Sequence, residues 1–439
     1  MLTSVDTGTL VAVIVAGIVA HVLLMIGSRW VNTLFLIAAA FFLLSPASAA
    51  KGFALVMPAK YGRAYVTLLL PVVAILVLRV MHIGRTGFAF LLFAGLYTLG
   101  GLWSDLPLEA ILFKGNYGLA VIAGLLMAHS IRNLDDLAIG MRALAVSSAV
   151  FALLIMIDLA LNPAALSRIG RLAAWGMNGN RIGQTAAAML VITSYVALYD
   201  PGRTWQICSY ITCSFLGLII LYTGSRGAAG EAVIGCFIVG LPLIRRPGVA
   251  FLVTALVVLT AYGVVELTHP ATEDRMLSTD FTRGSVWGPA WRLFQEAPVF
   301  GQGWVYTASE SAAAATANLH SIYLQVLVEI GAFGLIVMLV VLGFVGLQCL
   351  KTLRLARSSG VETHTAYLAV GLVVSVFAHG TFESAPIMGS GVNVLTLALG
   401  LGLLDRLPQL YRDVESSWDE YDEDGSADLE ADYDTIDAG

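Results

Sequence analysis

The chain has 439 residues, of which 58% are hydrophobic and only 12% charged, and its mean hydropathy is +0.82. About a quarter of the residues in a soluble domain are charged, so this composition excludes an ordinary soluble protein and indicates a polytopic helical membrane protein. The net charge of −6 is unevenly distributed: twelve acidic residues and one arginine follow from Tyr411 onward, which leaves a net charge of +5 on the rest.

Apolar segments of roughly 20 residues follow one another along most of the chain, and each is long enough to cross a bilayer as a helix. They are approximately 8–27, 31–49, 65–82, 87–104, 115–130, 141–161, 183–200, 204–222, 227–244, 248–266, 321–349, 365–382 and 388–405. They predict an all-α bundle of about 12 transmembrane helices over residues 1–406. The early segments are the least regular, and Lys51–Arg63 could be a re-entrant or interfacial piece.

Two polar stretches interrupt this pattern. Residues 267–320 form one large loop between the helices near 266 and 321, and we interpret it as the active-site loop. Residues 407–439 are too acidic to build a core, so we expect a disordered, solvated tail whose simplest role is to aid solubility.

Basic residues at helix ends indicate which side of the membrane each connection occupies. One side collects Arg29, Arg79, Arg85, Arg132, Arg142, Arg203, Arg245, Arg246, Lys351, Arg354, Arg357, Arg406 and Arg412. The other side has almost as many, but the first set lies in short connections, where the positive-inside rule has most force. We therefore expect the first side and the acidic tail to be cytoplasmic and the large loop to face outward.

The outward side nevertheless keeps six arginines in loops 162–182 and 267–320. Translocated loops usually contain few arginines. The guanidinium group is planar, permanently charged and bidentate, so it suits phosphate. Salt bridges to the few acidic residues of these loops are the alternative, and the pattern favours a phosphate-type anionic partner.

Two motifs place an arginine at the outer end of a predicted helix. In MNGNRIGQ, Asn180 and Arg181 precede a helix, and in YTGSRGAAGEAV, Ser225 and Arg226 occupy a glycine-rich turn between two helices. Free backbone N–H groups at such turns bind anions, and an arginine there is costly unless it is satisfied. The alternatives are a snorkelling arginine at Arg181 and a simple tight turn at Arg226.

The large loop contains further candidates. FTRGSVWGPAWRLF carries Arg283 and Arg292 around two tryptophans, which is typical of an interfacial helix with aromatic anchors. His320 closes the loop in NLHSIYLQ beside Asn318, and a neutral imidazole there could accept a proton from a hydroxyl. A capping or structural histidine is the alternative.

Other polar residues are assigned weaker roles. His379 and Glu383 lie near the outer end of a later helix and could support the site, whereas Gln325 and Glu329 are expected to satisfy each other or a neighbouring helix. The outward loops have no Asp-x-Asp pair or Cys/His cluster. We therefore expect a mechanism without a metal ion or another cofactor.

Together these motifs resemble the O-antigen ligase/polymerase family over about residues 178–385. The shared features are Asn180-Arg181, Thr223-Gly224-Ser225-Arg226-Gly227, Arg283 to Trp287, Pro298 to Gly303, and His320 to Gly331. Many family members have a second polar residue or histidine immediately before the histidine. This chain has Leu319 there, so Asn318 or His379 would have to assist.

The resemblance implies a metal-independent glycosyltransferase of the bacterial inner membrane that works at the periplasmic face. It implies a glycan donor linked to undecaprenyl diphosphate, an acceptor hydroxyl on a lipid A–core sugar or another glycan, and contacts with membrane lipids but not nucleic acid. By the same resemblance, His320 activates the acceptor, and Arg181, Arg226 and Arg283 hold the diphosphate. The supporting residues would be Asn180, Ser225, Arg292, Asn318 and His379.

An O-antigen ligase is the leading hypothesis, and a polymerase for O-antigen or exopolysaccharide, which shares the donor and the motifs, is the nearest alternative. A transporter for lipid-linked glycans is a third. That function predicts charges at mid-bilayer and broken helices in paired halves. In this sequence the charges lie near the predicted helix ends, and no paired halves are visible.

Overall fold

The computed structural model describes residues 35, 37–40, 43, 67–77, 79–80, 82–162, 172–174, 177–244, 284–303, 319–359, 363–381, 383 and 391–433. Beyond a short helix at Thr67–Leu76, the described residues include ten α-helices. These are α1 (Arg85–Leu99), α2 (Pro107–His129), α3 (Leu134–Leu161), α4 (Gly179–Tyr199), α5 (Arg203–Thr223), α6 (Arg226–Gly240), α7 (Gly284–Glu296), α8 (Ile322–Ser359), α9 (Thr363–Gly380) and α10 (Val392–Tyr433).

Eight helical segments of the described residues are long and apolar enough to cross a membrane. They comprise α1 to α6, α8 and α9, with α1 and α6 each extended by a short 3₁₀ turn. The prediction of an all-helical polytopic membrane protein is therefore confirmed. The predicted segments 8–27 and 248–266 and the possible re-entrant piece Lys51–Arg63 lie outside the described residues, so the count of about 12 stays a prediction.

The apolar start of α10 lies at the centre of the bundle. Its side chains from Val392 to Leu404 are almost all inaccessible to solvent. Glycines allow the closest approach: a Cβ on Gly124 of α2 would come within 2.6 Å of the Ala398 Cβ, and one on Gly402 within 2.5 Å of the Ala128 Cβ. Small residues at a helix interface permit such backbone contact, so α2 and α10 form a tightly packed pair.

α8 is broken at Gly331, whose φ of 70° and ψ of −171° are not helical. The segment 297–303, which follows α7, inserts at this break. Four backbone hydrogen bonds replace the lost helical ones: Gln302 N to Val328 O (2.8 Å), Gly303 N to Glu329 O (3.0 Å), Ala332 N to Pro298 O (2.9 Å) and Phe333 N to Val299 O (3.1 Å). Non-helical backbone inside a membrane bundle needs such partners. Part of the large loop is therefore packed into the bundle.

A buried ion pair lies next to this break. Lys114 Nζ of α2 is 2.7 Å from Glu329 Oε2 of α8, with side-chain exposures of 0% and 5%, and it also lies 4.1 Å from the Tyr97 ring centroid. Gln325 Nε2 donates to Glu329 Oε1 at 2.6 Å, as the sequence predicted. Both charges lie about 10 Å inside their helices at 1.5 Å per residue. The expectation that charges lie near helix ends is wrong for this pair, because two segments read separately do not reveal their partners.

The acidic tail begins as helix. α10 continues without a break through Tyr433, whereas the sequence predicted disorder from residue 407. A helix that has already formed adds residues without a new nucleation cost, and no proline follows Pro408 to stop it. The solvated, cytoplasmic tail stays a prediction.

Candidate functional site

Four helix ends meet at one end of the bundle: the N-termini of α4 and α6, the start of α8 and the end of α9. The α5–α6 connection is only two residues long, because Gly224 adopts the left-handed conformation (φ 59°) and the Ser225 hydroxyl caps α6 by accepting from Ala228 N at 3.4 Å. The first turn of α4 packs directly on this connection, since a Cβ on Gly183 would come within 2.8 Å of Thr223 Oγ1. This packing places motifs about 45 residues apart side by side.

His320 pairs with Glu383 at this end of the bundle. His320 Nδ1 is 3.0 Å from Glu383 Oε1, and the side chains are 31% and 4% exposed, respectively. The same carboxylate oxygen accepts a hydrogen bond from Asn180 Nδ2 at 3.0 Å. A carboxylate can only accept, so Nδ1 donates in this contact, and in a neutral imidazole the lone pair is then on Nε2. The contact therefore leaves the partly exposed His320 with Nε2 as a base.

The backbone of His320 is held in an uncommon conformation, with φ of 53°. The preceding residue, Leu319, is 1% exposed and packs with Ala290 of α7 and Val328 of α8. Trp287 Nε1 of α7 donates to Leu319 O at 3.1 Å. A positive φ in a residue other than glycine costs roughly 1–3 kcal/mol and persists where surrounding contacts impose it. α7 therefore helps to set the orientation of His320. Trp287 contributes through its hydrogen bond to Leu319 O, in addition to its predicted role as an interfacial anchor.

Two of the predicted anion-binding arginines lie at the helix N-termini beside this pair. Arg181 is exposed in the first turn of α4, directly after Asn180, and Arg226 is the exposed first residue of α6. The N-terminus of a helix favours negative charge through its unpaired N–H groups and its dipole. The guanidinium groups add permanent charge to the same region.

The remaining predicted residues fall into two groups. Arg292 is exposed on α7, and Ser225 acts as the cap of α6. Arg283 and Asn318 lie outside the described residues, so their roles stay predictions.

His379 belongs to a separate, fully buried network. Its Nδ1 contacts Glu231 Oε2 of α6, and Asn393 Nδ2 of α10 donates to Glu231 Oε1 at 2.7 Å. On its other side, His379 Nε2 faces Gly227, where an added Cβ would come within 2.7 Å. Among the described contacts, a backbone hydrogen bond links His379 to the His320 pair, since Glu383 N donates to His379 O at 3.0 Å. It therefore supports the N-terminus of α6 and the position of Glu383.

Sequence reasoning noted Glu383 but did not assign it to His320. The available signal was a carboxylate four residues after His379, in the polar end FAHGTFES of an apolar helix. That spacing would equally have suggested a pair between Glu383 and His379. Only the packing of α9 against α4 and α8 shows that the His320 ring occupies this place.

The fold and the site define a class: a polytopic membrane protein with a partly exposed histidine–carboxylate pair beside two arginine-bearing helix N-termini. Such an arrangement can accept a proton from a nucleophile and stabilise an anionic group. The described residues contain no cluster of three or more His, Cys, Asp or Glu that could hold a metal ion. The expectation of a metal-independent mechanism stays a prediction.

Comparison with known families is consistent with this class. The model of a family described as O-Antigen ligase (Wzy_C) matches residues 211–339. The match confirms the family resemblance and indicates an O-antigen ligase- or polymerase-type function. It spans Ser225, Arg226 and His320, whereas Asn180, Arg181 and Glu383 lie outside it. A search of curated proteins found no match.

Proposed function

We propose that the protein transfers a glycan from undecaprenyl diphosphate to an acceptor hydroxyl, as an O-antigen ligase does with a lipid A–core sugar. The observation that carries this proposal is the convergence of the His320–Glu383–Asn180 contacts with the N-termini of α4 and α6. The family match supports the same class of reaction.

In the proposed reaction, the acceptor oxygen attacks the anomeric carbon of the donor sugar. His320 Nε2 takes the hydroxyl proton as the new carbon–oxygen bond forms, and Glu383 stabilises the resulting imidazolium through Nδ1. The bond between the anomeric carbon and the diphosphate oxygen breaks, and the electron pair leaves with the lipid diphosphate. Arg181 and Arg226 stabilise the charge that develops there, with Arg283 as a third proposed contact.

The site would face the periplasm of a bacterial inner membrane. The described helices support this placement. Arg181, Arg226 and His320 share one end of the bundle, while Arg203 begins α5 at the opposite end, and Arg142 and Lys351 lie in the halves of α3 and α8 nearer to that end. The positive-inside rule then places the second group in the cytoplasm.

The experiment is complementation of a strain that lacks the gene, with variants of His320. His320→Asn is the sharper variant, because asparagine tolerates positive φ but supplies no base, and His320→Ala accompanies it. Loss of a general base reduces the rate by about 10²- to 10⁴-fold. The matched control is His364→Ala, which removes a histidine stacked on Tyr199 at the other end of the bundle. Near-normal glycan transfer by His320→Asn at equal protein level would refute the proposal.

The same strain distinguishes ligase from polymerase. Long polymer retained on the lipid carrier, with bare lipid A–core, identifies a ligase. Single repeat units on the carrier, with at most one unit on the core, identify a polymerase. Normal lipopolysaccharide with a missing secreted polysaccharide would move the assignment to an exopolysaccharide system.

One structural observation favours the transporter alternative: α8 is broken, and a Lys114–Glu329 pair is buried beside the break. The break is, however, closed by four backbone hydrogen bonds, and the pair is electrically neutral. A transporter would also tolerate loss of a base at one end of the bundle. Normal export and transfer by the His320 variants would therefore favour it.

A further inference from the structure

A cavity of about 300 Å³ lies at the other end of the bundle from His320. Among the residues that line it are Arg79, His82, His129, Arg132, Arg406 and Gln409. Their position follows from α8. This helix begins beside His320, and about 26 residues later Gln348 Nε2 donates to Leu404 O, two residues before Arg406. At 1.5 Å per residue the separation is about 40 Å, which is the thickness of a bilayer with its headgroups.

The cavity, which we term the basic pocket, holds three guanidinium groups. Arg406 is fixed in place, because its Nε donates to Ile131 O at 2.9 Å and its Nη1 donates to Gln409 Oε1 at 2.7 Å. Arg79 and Arg132 are exposed, and their guanidinium groups have no hydrogen-bond partner among the described residues. Arg406, held by hydrogen bonds, therefore lines the basic pocket together with two arginines whose guanidinium groups have no hydrogen-bond partner among the described residues.

The carboxylates near the basic pocket are held mainly by backbone N–H groups. Asp405 accepts from Thr86 N at 2.9 Å and Gly87 N at 3.0 Å, so its charge is directed to the N-terminus of α1. Asp136 is buried and accepts from the backbone N of Arg132 at 3.2 Å. Asp413 lies near enough to Arg406 to interact electrostatically. Asp413 thus interacts with Arg406, whereas Asp405 and Asp136 are held by backbone N–H groups, and Asp135 lies exposed in the first turn of α3.

His129 contributes shape to the basic pocket more than charge. His129 Nδ1 lies 2.9 Å from Leu125 O, and His129 Nε2 accepts from Gly84 N at 3.1 Å. Both ring nitrogens are therefore engaged in a neutral tautomer, with Nδ1 as the donor. The contact ties the end of α2 to the start of α1.

We propose that the basic pocket binds a phosphate-bearing anion, which is either the headgroup of an anionic phospholipid or a free phosphate. Arginine forks match phosphate oxygens. Basic pockets between transmembrane helices on the cytoplasmic side bind anionic lipid headgroups, and a volume of about 300 Å³ suits a small polar group. The proposal does not depend on the proposed glycosyl transfer, since the two sites lie at opposite ends of the bundle.

The test is a binding titration of the purified full chain in detergent, followed by native mass spectrometry. The probes are phosphatidylglycerol, phosphatidylcholine and inorganic phosphate. The variant is Arg79→Gln/Arg132→Gln, and the matched control is Arg354→Gln, which removes an exposed arginine near the same end of α8. Each arginine near a membrane surface contributes about fivefold to anionic-lipid binding. We expect the double variant to bind phosphatidylglycerol about 25-fold more weakly and the control to be unchanged.

The three probes separate the sources of the anion. Variant-sensitive binding of phosphatidylglycerol alone assigns a lipid headgroup, and variant-sensitive binding of inorganic phosphate assigns a free phosphate. Equal binding by the double variant and the wild type, equal weakening by Arg354→Gln, or equal affinity for phosphatidylcholine would each overturn the proposal. If the double variant does not purify, the single variants give the same comparison at about fivefold each.

Discussion

Replacing Glu383 by Gln isolates the charge of this residue from its shape. Glu383 Oε1 accepts from His320 Nδ1 and Asn180 Nδ2, both at 3.0 Å, and an amide oxygen can keep both contacts. A hydrogen bond to a charged group contributes about 1.5–3 kcal/mol and a neutral one about 1 kcal/mol. The difference is about 0.5–2 kcal/mol. If that charge stabilises the imidazolium only in the transition state, glycan transfer falls by about 2- to 30-fold, with little change in stability.

The assay is glycan transfer by membranes of the deletion strain, normalised to the amount of protein in the membrane. Asn180→Ala removes the other hydrogen bond to this carboxylate but leaves its charge beside His320, so glycan transfer should fall by less than in Glu383→Gln. Glu109→Gln is the matched control, since Glu109 is exposed in the first turn of α2 at the same end of the bundle. If Glu383→Gln transfers glycan as fast as Glu109→Gln at equal protein level, Glu383 does not orient or stabilise His320 during the reaction.

Two further predictions concern the break in α8. Gly331→Ala should lower the free energy of unfolding by at least about 1–3 kcal/mol, because Gly331 has a φ of 70° and an added Cβ would overlap Val299 O. The measurement is thermal unfolding. The control is Gly343→Ala, where an added Cβ meets nothing within 4 Å. Lys114→Met should destabilise by about 3–5 kcal/mol, because it leaves the Glu329 carboxylate buried and unpaired, and adding Glu329→Gln should restore most of the loss.

Each of these predictions has a clear opposite outcome. Equal melting temperatures for Gly331→Ala and Gly343→Ala would mean that segment 297–303 does not occupy the break in α8. A Lys114→Met variant as stable as the wild type, or one that Glu329→Gln does not rescue, would mean that the two charges do not depend on each other.

The sequence indicates single polar residues of the candidate site, whereas the structure shows which of them are in contact, and this difference has a physical reason. The sequence predicts Arg181, Arg226 and His320 as site residues because each is a polar residue at the end of an apolar segment, where a membrane tolerates it only for a reason. Glu383 was seen for the same reason, but its partner was not. A hydrogen bond between residues 63 positions apart depends on which helices are neighbours, and a hydropathy pattern does not contain that information.

The break in α8 likewise depends on which segments are neighbours in the fold. The sequence shows Gly331 and the segment Pro298 to Gly303. That this segment packs into the break at Gly331 depends on backbone hydrogen bonds between the segment and α8. Lys114 and Glu329 looked like separate charges near the ends of two predicted helices. They form a buried pair because α2 and α8 meet at that level.

Composition and hydropathy thus determined the membrane environment, the helical class and the residues most worth attention, because each of these is a local consequence of transferring apolar side chains and hydrogen-bonded backbone into lipid. Tertiary packing decided the partner of His320, the buried position of His379, the inserted segment 297–303 and the basic pocket at the other end of the bundle. Each of these requires two or more helices to approach, and the free energy of that approach comes from contacts between residues that are distant in the chain.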